Sequence, residues 1–282
     1  MYKIIEKRKL APQVTMMTVE APYVAKKAQP GQFIILRPAD ESERIPLTIA
    51  DYDREQGLIT IIFQDVGKTT RLLSALEQNE YIRDLAGPLG VASHLDGIRN
   101  ACVIGGGLGC AIAYPQAKAL YAAGAHVDVV AGFRSRDLVI MEDEMRAVCG
   151  NLYMCTDDGT YGRKGLVTEQ LKELIESGAG YDAVIAIGPL IMMKFVSLTT
   201  KPYGIRTIVS MNTTMIDGTG MCGGCRLTVA GEVKFACVDG PDFDGHKVDF
   251  DEAMRRSMMY REMEKQSLES HECNLLGDTR HG

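Results

Sequence analysis

Apolar and polar residues alternate in short runs through the first part of the chain. The runs QVTMMTVEA, QFIILRP and LITIIFQ predict strands, and the residues between them are the Pro, Gly and charged residues typical of turns. Strands that follow one another at such short intervals form antiparallel sheets. We therefore predict an antiparallel β-barrel domain over residues 1–99.

The pattern changes at residue 100, where apolar strands begin to alternate with helical segments. The predicted strands are ACVIGGG, HVDVVAGF, NLYMCT and YDAVIAIG. The segments between them, which include an Ala-rich stretch, EDEMRAVCG and LVTEQLKELIESG, predict helices. This alternation predicts an α/β domain with a doubly wound parallel sheet over residues 100–206.

Residues 207–282 show a third pattern. Gly and Cys are concentrated before residue 245, and residues 249–265 are charged and rich in Met. Because such a segment is too short for a large core of its own, we predict a small metal-stapled lobe followed by a C-terminal docking helix. Acidic residues precede basic ones in this helix, which complements its dipole, and its Met residues fit equally well against their own domain or another subunit.

Composition narrows the functional classes. The 282 residues carry 31 Lys and Arg against 37 Asp and Glu, a net charge of −6, and no basic run contains interleaved aromatic residues, so nucleic-acid binding is not expected. The longest apolar runs are far shorter than the roughly 20 residues of a membrane span, and the N-terminus MYKIIEKRKL lacks an apolar signal core. We expect a cytoplasmic protein whose eight cysteines stay reduced.

Three of these cysteines lie close together, with an aspartate before them. Asp217, Cys222, Cys225 and Cys237 give the spacing Asp-x4-Cys-x2-Cys-x11-Cys, which is the plant-type ferredoxin spacing with a carboxylate in the first position. The glycines between them suit a backbone that wraps closely around an inorganic core. The pattern favours a [2Fe-2S] cluster with these four residues as metal ligands.

Other interpretations of this segment stay open. A zinc knuckle would use the three cysteines with Asp217 or His246 as the fourth ligand. Asp217 either ligates the metal or only caps the loop through hydrogen bonds. Cys273, in the polar tail HECNLLGDTRHG, is more consistent with an unpaired surface thiol than with a ligand.

A candidate phosphate site lies in the barrel region. The segment Arg44-Ile45-Pro46-Leu47-Thr48 precedes the strand LITIIFQ, and Gly67-Lys68-Thr69-Thr70 follows that strand at the start of a predicted helix. An Arg fork suits a diphosphate, and a Gly-Lys-Thr-Thr turn at a helix start offers N–H groups and hydroxyls to anions. Either piece alone is common, since Thr at a helix start is most often an N-cap. Their order and spacing together predict one phosphate site.

A second anion site is predicted where the strand ACVIGGG runs into a helix. Close backbone approach and the helix N-terminus favour a pyrophosphate at the loop Gly105-Gly106-Gly107-Leu108-Gly109. Cys110 occupies the last position of a strict G-x-G-x-x-G motif, and no acidic residue closes the second strand, so a conventional dinucleotide dehydrogenase is disfavoured. Arg134 and Arg136, after that strand, either contact a 2′-phosphate or are solvated loop residues.

These motifs together resemble those of the ferredoxin-reductase superfamily of flavoproteins, over about residues 1–200. With the Cys-rich lobe added, the chain resembles the electron-transfer subunits of dihydroorotate dehydrogenase. Asp217 and the segment VKFACVDGPDFDGHKVDFDEAMRR make it more similar to the small subunits of NADH-dependent reduced ferredoxin:NADP oxidoreductases. The resemblance implies FAD in the barrel, a nicotinamide nucleotide in the α/β domain, with NAD(H) favoured, and a [2Fe-2S] cluster held by one Asp and three Cys ligands in the C-terminal lobe.

The resemblance also implies roles for individual residues. Thr48 would lie near the reactive N5 of the flavin and is the candidate catalytic residue. The residues expected to contact FAD are Arg44, Pro46, Leu47, Thr48, Ile62, Gln64, Gly67, Thr69 and Thr70. The residues expected to link the domains or contact the nicotinamide nucleotide are Gly87, Gly105, Gly106, Gly107, Leu108, Gly109, Asp157, Asp158, Gly159, Gly188 and Pro189. Ile187 replaces the Cys of the common Cys-Gly-Pro pattern, so no thiol is expected there.

The function implied by the resemblance is electron transfer between NAD(H), FAD and the cluster, which would face a larger flavin- and iron-sulfur-containing catalytic subunit in a heterodimer. Such a subunit would serve a flavin-based electron-bifurcating transhydrogenase that joins NAD(H), NADP(H) and ferredoxin. One alternative is the same module in an NAD-dependent dihydroorotate dehydrogenase. Another is a non-enzymatic, zinc-stapled nucleotide-binding regulator.

Overall fold

The computed structural model describes residues 1–260 and 262–266. The first part contains the strands β1 Tyr2–Ala11, β2 Val14–Glu20, β3 Phe33–Arg37, β4 Ile45–Asp53, β5 Leu58–Gln64, β6 Tyr81–Ile82 and β7 Asp84–Leu89. They form one antiparallel sheet in the order β6-β1-β2-β5-β4-β3-β7. Only Arg83 separates the two terminal strands of this order in sequence, so the sheet is nearly closed. The predicted antiparallel barrel is confirmed.

Alternating side chains of these strands fill the barrel. Ile34, Ile59, Ile61 and Phe63 are almost completely buried there, together with Leu73 from the helix α2, Lys68–Ala75. The period of two that predicted the strands therefore also places the core on one face of the sheet. The helix α1, Pro22–Lys27, was not predicted, because its six residues are too few to show helical periodicity.

The second part alternates strands with helices as expected. Its elements are β8 Asn100–Gly106, α3 Gly109–Ala122, β9 His126–Phe133, α4 Glu142–Arg146, β10 Asn151–Thr156, β11 Arg163–Lys164, α5 Val167–Glu176, β12 Ala183–Ile187, α6 Leu190–Thr200 and β13 Arg206–Ser210. The strands β8 to β13 pair in parallel in the order β11-β10-β9-β8-β12-β13, which confirms the doubly wound sheet. The chain moves outward from β8 to β10 and returns to the other side of β8 at β12. The carboxyl ends of β8 and β12 thus border the topological switch point, where ligands bind in such sheets.

The C-terminal part is small and shares its core with its neighbours. The strands β14 Arg226–Val229 and β15 Glu232–Phe235 form a hairpin, and the short strand β16 Asp242–Asp244 joins the parallel sheet by pairing antiparallel with β13. The predicted boundary between the α/β domain and the C-terminal lobe, at residue 206, coincides with the first residue of β13. Cys225 and Cys237 lie in one buried cluster with Phe33 and Ile35 of the barrel strand β3. This sharing follows from the shortness of the segment, which cannot bury enough apolar surface alone.

The predicted docking helix is present in part. The helix α7, Phe250–Ser257, begins at Asp249, whose Oδ1 accepts a hydrogen bond of 2.8 Å from the backbone N–H of Glu252. The tail with Cys273 lies outside the described residues. Within the described part of the chain, no helix combines the length and apolar character needed to cross a membrane.

Candidate functional site

The carboxylate of Asp217 organises the loop that carries the predicted metal ligands. Its Oδ1 accepts a hydrogen bond of 2.8 Å from the backbone N–H of Thr219, and its Oδ2 accepts one of 2.8 Å from that of Cys222. These hydrogen bonds, first of all the one from Thr219, lower the pKa of Asp217. The side chain is therefore an anion that caps the loop, and the same contact places its Oδ2 beside Cys222.

The cysteines of the loop differ in exposure. Cys225 and Cys237 are each 1% exposed, with their sulfur atoms 3.2 Å apart, whereas Cys222 is exposed. The backbone N–H of Cys237 points at the Cys225 sulfur at 3.4 Å, and that of Gly224 points at the Cys222 sulfur at 3.5 Å. Burial, and secondarily the contact with Cys225, raises the pKa of Cys237 to about 12. A cation is thus needed to hold Cys237 as a thiolate.

The donor set fits a two-metal cluster. Two thiolates on one tetrahedral metal lie about 3.8 Å apart when the metal–sulfur bonds are about 2.3 Å, so Cys225 and Cys237 are close to that arrangement. Asp217 and Cys222, joined by their hydrogen bond, form a second pair, which matches the two-and-two ligation of a [2Fe-2S] cluster. In the described residues, no three His, Cys, Asp or Glu side chains gather as they would around a single ion. The Nε2 of His246 instead lies 2.9 Å from the Oγ1 of Thr200, on α6.

The predicted flavin residues of β4 alternate between the two faces of the barrel. Thr48 is paired with Phe33 and Pro46 with Ile35, so these side chains share the face that packs towards the parallel sheet and the cysteine loop. Leu47 points the other way and packs against the core of the barrel. Because successive residues of a strand face opposite sides, a contact between Leu47 and a flavin on the Thr48 face would come from its backbone, and that contact stays a prediction.

The start of α2 has one hydroxyl that is satisfied and one that is not. Thr70 Oγ1 accepts hydrogen bonds from the backbone N–H groups of Val66 and Gly67, at 3.1 and 2.9 Å, so it caps the helix. Thr69 is 4% exposed, and its buried Oγ1 has no hydrogen-bond partner among the described residues. An added Cβ on Gly67 would meet open space. An anion at this helix start would satisfy Thr69 and the first N–H groups of α2, which fits a flavin diphosphate.

The remaining predicted flavin residues lie at or near the same end of the barrel. The start of β4 and the end of β5 are adjacent because the two strands are antiparallel, so exposed Arg44 and half-buried Gln64 lie at one end of the sheet. Ile62 is 5% exposed and packs in the buried cluster that joins the barrel to α3. An ion pair of 2.7 Å between Lys118 of α3 and Asp51 of β4 crosses the same junction.

The glycine-rich loop after β8 is shaped by close packing. A Cβ on Gly105 would lie 2.6 Å from the Cα of Cys110, and one on Gly106 would lie 2.5 Å from the sulfur of Met192. A Cβ on Gly109 would overlap the carbonyl oxygen of Ile187, at the end of β12. These glycines let the starts of α3 and α6 approach each other at the switch point, and Gly107, with φ of +56°, turns the loop.

The structure brings most of the predicted nucleotide residues to this edge of the sheet. Gly188 follows β12 beside the loop, since its Cβ would lie 3.2 Å from the Cα of Gly106, and Pro189 begins α6. Asp157 and Asp158 follow β10, and their N–H groups donate to the carbonyls of Phe133 and Arg134 at the end of β9. The predicted residues Leu108 and Gly159 lie in the same two turns, whereas Gly87 lies in the barrel, where its Cβ would be 2.7 Å from Ile34 Cγ2.

The structure adds Met192, which the sequence does not single out, and shows the surroundings of Asp158 and the core cysteines. Met192 packs over the glycine loop from α6, a contact between segments that are distant in sequence. Asp158 Oδ1 accepts hydrogen bonds from both the N–H and the hydroxyl of Thr160, which lowers the pKa of Asp158. Cys102 and Cys110 are completely buried, and burial raises the pKa of Cys110 to about 12, as expected for core thiols.

Comparison with known proteins gives consistent results. Residues 212–249 match the model of the iron-sulfur cluster binding domain of dihydroorotate dehydrogenase B. A dihydroorotate dehydrogenase B (NAD(+)) electron transfer subunit homolog from Thermotoga maritima is 45% identical, covering 95% of this chain and 94% of its own length. The electron transfer subunit from Geobacillus thermodenitrificans is 33% identical and covers 87% of this chain and 96% of its own.

A solved structure agrees over nearly the whole molecule. It was determined in a study of flavin-based electron bifurcation by NADH-dependent reduced ferredoxin-NADP oxidoreductase, and it superposes with a TM-score of 0.91 at 44% identity, covering 96% of this chain and 98% of the other. The sequence identities and coverage extend well beyond the Cys-rich segment. The chain belongs to the family of dihydroorotate dehydrogenase B electron transfer subunits and their homologues.

Proposed function

We propose that this chain is the electron-transfer subunit of a flavin-based bifurcating NADH/ferredoxin:NADP transhydrogenase, with FAD, NAD(H) and a [2Fe-2S] cluster as its cofactors. The observation that carries the proposal is the position of β3. Its residues Phe33 and Ile35 pair with Thr48 and Pro46 on one side and share a buried core with Cys225 and Cys237 on the other. The candidate flavin face and the candidate cluster ligands are therefore neighbours, as electron transfer between them requires.

The geometry supports a proposal for the binding residues. Arg44 and the start of α2, with the unpartnered hydroxyl of Thr69, would hold the flavin diphosphate, and Thr48 would lie beside the ring. The glycine loop after β8 and Gly188 after β12 would hold NAD(H) at the switch point. When bound, the flavin accepts a hydride from NADH and exchanges single electrons with the cluster. In this proposal the residues of the chain position NAD(H), the flavin and the cluster next to one another and exclude water from the space between them.

The cluster ligands in this proposal are Asp217, Cys222, Cys225 and Cys237. Cys222 is exposed and its neighbour Met221 is 89% exposed, so one side of the loop is open to a partner. We propose that this side faces a larger flavin- and iron-sulfur-containing subunit in a heterodimer. All seven cysteines within the described residues are free thiols, which supports a cytoplasmic location.

The proposed organisation keeps the three parts predicted from the sequence. Residues 1–99 would bind FAD, residues 100–206 would bind NAD(H), and residues 207–282 would hold the cluster and the docking helix. The shared core of β3 and the cysteine loop supports a division by ligand rather than into independently stable units.

A second candidate is the same module in an NAD-dependent dihydroorotate dehydrogenase. It is favoured by the match of residues 212–249 to the iron-sulfur domain of that enzyme. The two candidates differ in the partner that the cluster serves.

Co-purification with the native partner separates these candidates. The chain is expressed with its neighbouring subunit, and the complex is assayed anaerobically with NADPH, NAD and ferredoxin in one arm and with dihydroorotate and NAD in the other. The proposal predicts that NADPH oxidation reduces NAD and ferredoxin together. Dihydroorotate-dependent reduction of NAD without ferredoxin reduction would instead establish the second candidate.

A further inference from the structure

Gly218 lies where the cysteine loop touches the barrel. It directly follows the predicted ligand Asp217, has φ of +74° and is buried. A Cβ at this position would lie 2.6 Å from Cδ1 of Ile35 and 2.8 Å from Cδ1 of Leu89. Both distances are shorter than a normal carbon–carbon contact. A side chain at residue 218 would therefore displace either the loop or the ends of Ile35 and Leu89, which are packed in the core beside it.

The two residues that Gly218 meets are register neighbours of the proposed flavin site. Ile35 of β3 pairs with Pro46, and Leu89 of β7 pairs with Phe33, which in turn pairs with Thr48. The contact therefore runs from the cluster loop to the strand next to β4 with no other residue between them.

The rest of the C-terminal lobe is fixed to the segment that follows β7 by separate contacts. The N–H of Val91 donates to the carbonyl of Gly240 at 2.7 Å, and the hydroxyl of Ser93 donates to Oδ2 of Asp242 at 2.5 Å. These hydrogen bonds hold the lobe against the segment after β7 on the far side of Cys237. A change at residue 218 would thus tilt the loop near Asp217 without detaching the lobe.

We propose that Gly218 is a positioning residue that sets the separation between the flavin and the cluster, and with it the rate of electron exchange between them. This inference rests on the proposed function. In each transfer the flavin loses one electron and one ferric ion of the cluster gains it, and the electrons come from NADH. Electron transfer between two separated centres slows steeply with distance, so a loop displaced by an added methyl group would slow this step and leave hydride transfer from NADH unaffected.

The chain offers a matched control for the substitution Gly218→Ala. Gly231 lies in the same lobe, in the turn between β14 and β15, with φ of +81°, and its Cβ would meet nothing within 4 Å. Gly231→Ala therefore introduces the same kind of backbone strain without pushing on the barrel. The substitution Ile35→Val removes Cδ1, the nearer of the two atoms that the new methyl group meets. The double variant Gly218→Ala/Ile35→Val therefore relieves the closer overlap and keeps the one with Leu89. Ile35→Val alone completes the double-mutant cycle.

A second variant displaces the cluster loop without changing any residue of that loop. Ile35→Phe enlarges the side chain on which Gly218 rests and pushes the loop outward from the barrel side. It is needed because Gly218→Ala alters a residue next to a proposed ligand. The proposal predicts the same kinetic effect from Ile35→Phe as from Gly218→Ala.

Full-length variants are purified anaerobically, and their flavin and iron contents are measured. Stopped-flow absorbance then gives the rate of flavin reduction by NADH and the rate of cluster reduction. Hydrogen exchange of the β3 amides gives a readout independent of turnover. We expect Gly218→Ala and Ile35→Phe to keep both cofactors and the wild-type rate of flavin reduction, but to reduce the cluster roughly tenfold more slowly. They should also raise exchange at Ile35. Gly231→Ala should resemble the wild type, and the double variant should lie between Gly218→Ala and the wild type.

Equal rates of cluster reduction in Gly218→Ala, Gly231→Ala and the wild type would overturn the inference. So would a fully loaded Ile35→Phe variant with the wild-type rate of cluster reduction, or a double variant as slow as Gly218→Ala. A wild-type chain that binds no flavin or iron would contradict the proposed function instead, which keeps the two failures distinct.

Discussion

The nucleotide loop and the cysteine loop are both rich in glycine, but for different physical reasons. In the nucleotide loop, Gly105 and Gly109 are required because neighbouring backbone occupies the space of a side chain. In the cysteine loop, Gly218, Gly220 and Gly223 have φ of +74°, +84° and +66°, so the conformation itself excludes most other residues. Gly218 alone of these three also meets the barrel.

This difference separates a site that is formed by packing from one that depends on its ligand. The nucleotide loop is held by the packing of β8, α3, β12 and α6, so we expect it to keep its shape without NADH. The cysteine loop is held near its start by the hydrogen bonds of Asp217 and farther on by the buried pair Cys225 and Cys237. Its order should therefore depend on the metal that replaces the protons of that pair.

Removal of a buried ligand tests this dependence with the largest expected effect. Cys237→Ala should abolish almost all iron binding, because it leaves one thiolate where two are needed for a tetrahedral metal. Flavin binding and flavin reduction by NADH should persist. Iron analysis and visible spectra check this, with Cys155→Ala, a buried thiol of β10, as the control. Undiminished iron in Cys237→Ala would remove Cys237 from the ligand set.

Asp217 distinguishes a ligand from a loop cap. Asp217→Ala should lose or destabilise the cluster, whereas Asp217→Cys should retain a cluster with an altered reduction potential, because thiolate is a softer donor than carboxylate. Iron content and redox titration provide the measurements. An unaffected cluster in Asp217→Ala would show that the carboxylate only caps the loop.

In the nucleotide loop, a substitution should mainly lower the folding stability of the protein. Gly109→Ala should cost about 1–3 kcal/mol of folding free energy, because the new methyl group collides with the backbone carbonyl of Ile187 and cannot be relieved by a side-chain rotation. Binding of NADH should weaken with it. Thermal unfolding with and without NADH checks both effects.

Gly107→Ala is the matched control in that loop. Its Cβ meets open space, so only the strain of a positive φ remains, which costs about 1 kcal/mol. A larger loss of stability in Gly107→Ala than in Gly109→Ala would contradict the packing explanation.

At the start of α2, adjacent residues are expected to have different roles: Thr69 would bind FAD, and Thr70 caps the helix. Thr69→Val should weaken FAD binding roughly tenfold, the effect of one lost hydrogen bond to a charged group, and leave stability nearly unchanged because its hydroxyl is unpartnered in the structure. Thr70→Val should instead cost about 1 kcal/mol of stability, since it removes the cap of α2. Flavin titration and thermal unfolding distinguish them, and a reversed pattern would exchange the two roles.

The smallest change in stability is expected at Asp242, where the C-terminal lobe contacts the segment after β7. Burial raises the pKa of Asp242, although the hydrogen bond from Ser93 acts in the opposite direction. A raised pKa in the folded state means that stability is lost as pH rises from the ordinary Asp range through the folded value. Asp242→Asn should therefore raise the melting temperature at neutral pH, by less than Gly109→Ala lowers it, and the gain should vanish towards pH 4. A gain that is independent of pH would exclude this origin.

Local patterns in the sequence were sufficient to predict most of the fold, and they also supplied the proposed donor set of the site. The alternation of β5 and the apolar runs of β8 and β12 reflect burial on one face or two, and the Cys spacing and glycine loops are local chemistry. The strand β16 was not predictable, because three residues carry no period and its partner β13 lies 32 residues earlier. The contact of Gly218 with Ile35 was not predictable for the same reason, since it depends on tertiary packing.

Leu47 shows what a motif alone leaves open. A motif gives the order of residues, whereas successive residues of β4 face opposite sides, so the side chain of Leu47 packs against the barrel core and that of Thr48 lies on the other face. The assignment of Leu47 to the flavin site stays a prediction, in which the contact would come from its backbone.

The central claim is that electrons pass between NADH, a flavin and a [2Fe-2S] cluster within this one chain. Anaerobic purification followed by flavin, iron and sulfide analysis and a visible-spectrum titration with NADH tests it most directly. The account predicts about one FAD and about two iron ions per chain, with flavin and cluster absorbance both bleached by NADH. A colourless protein that contains zinc, or a flavin that NADH reduces beside a cluster that stays oxidised, would contradict it.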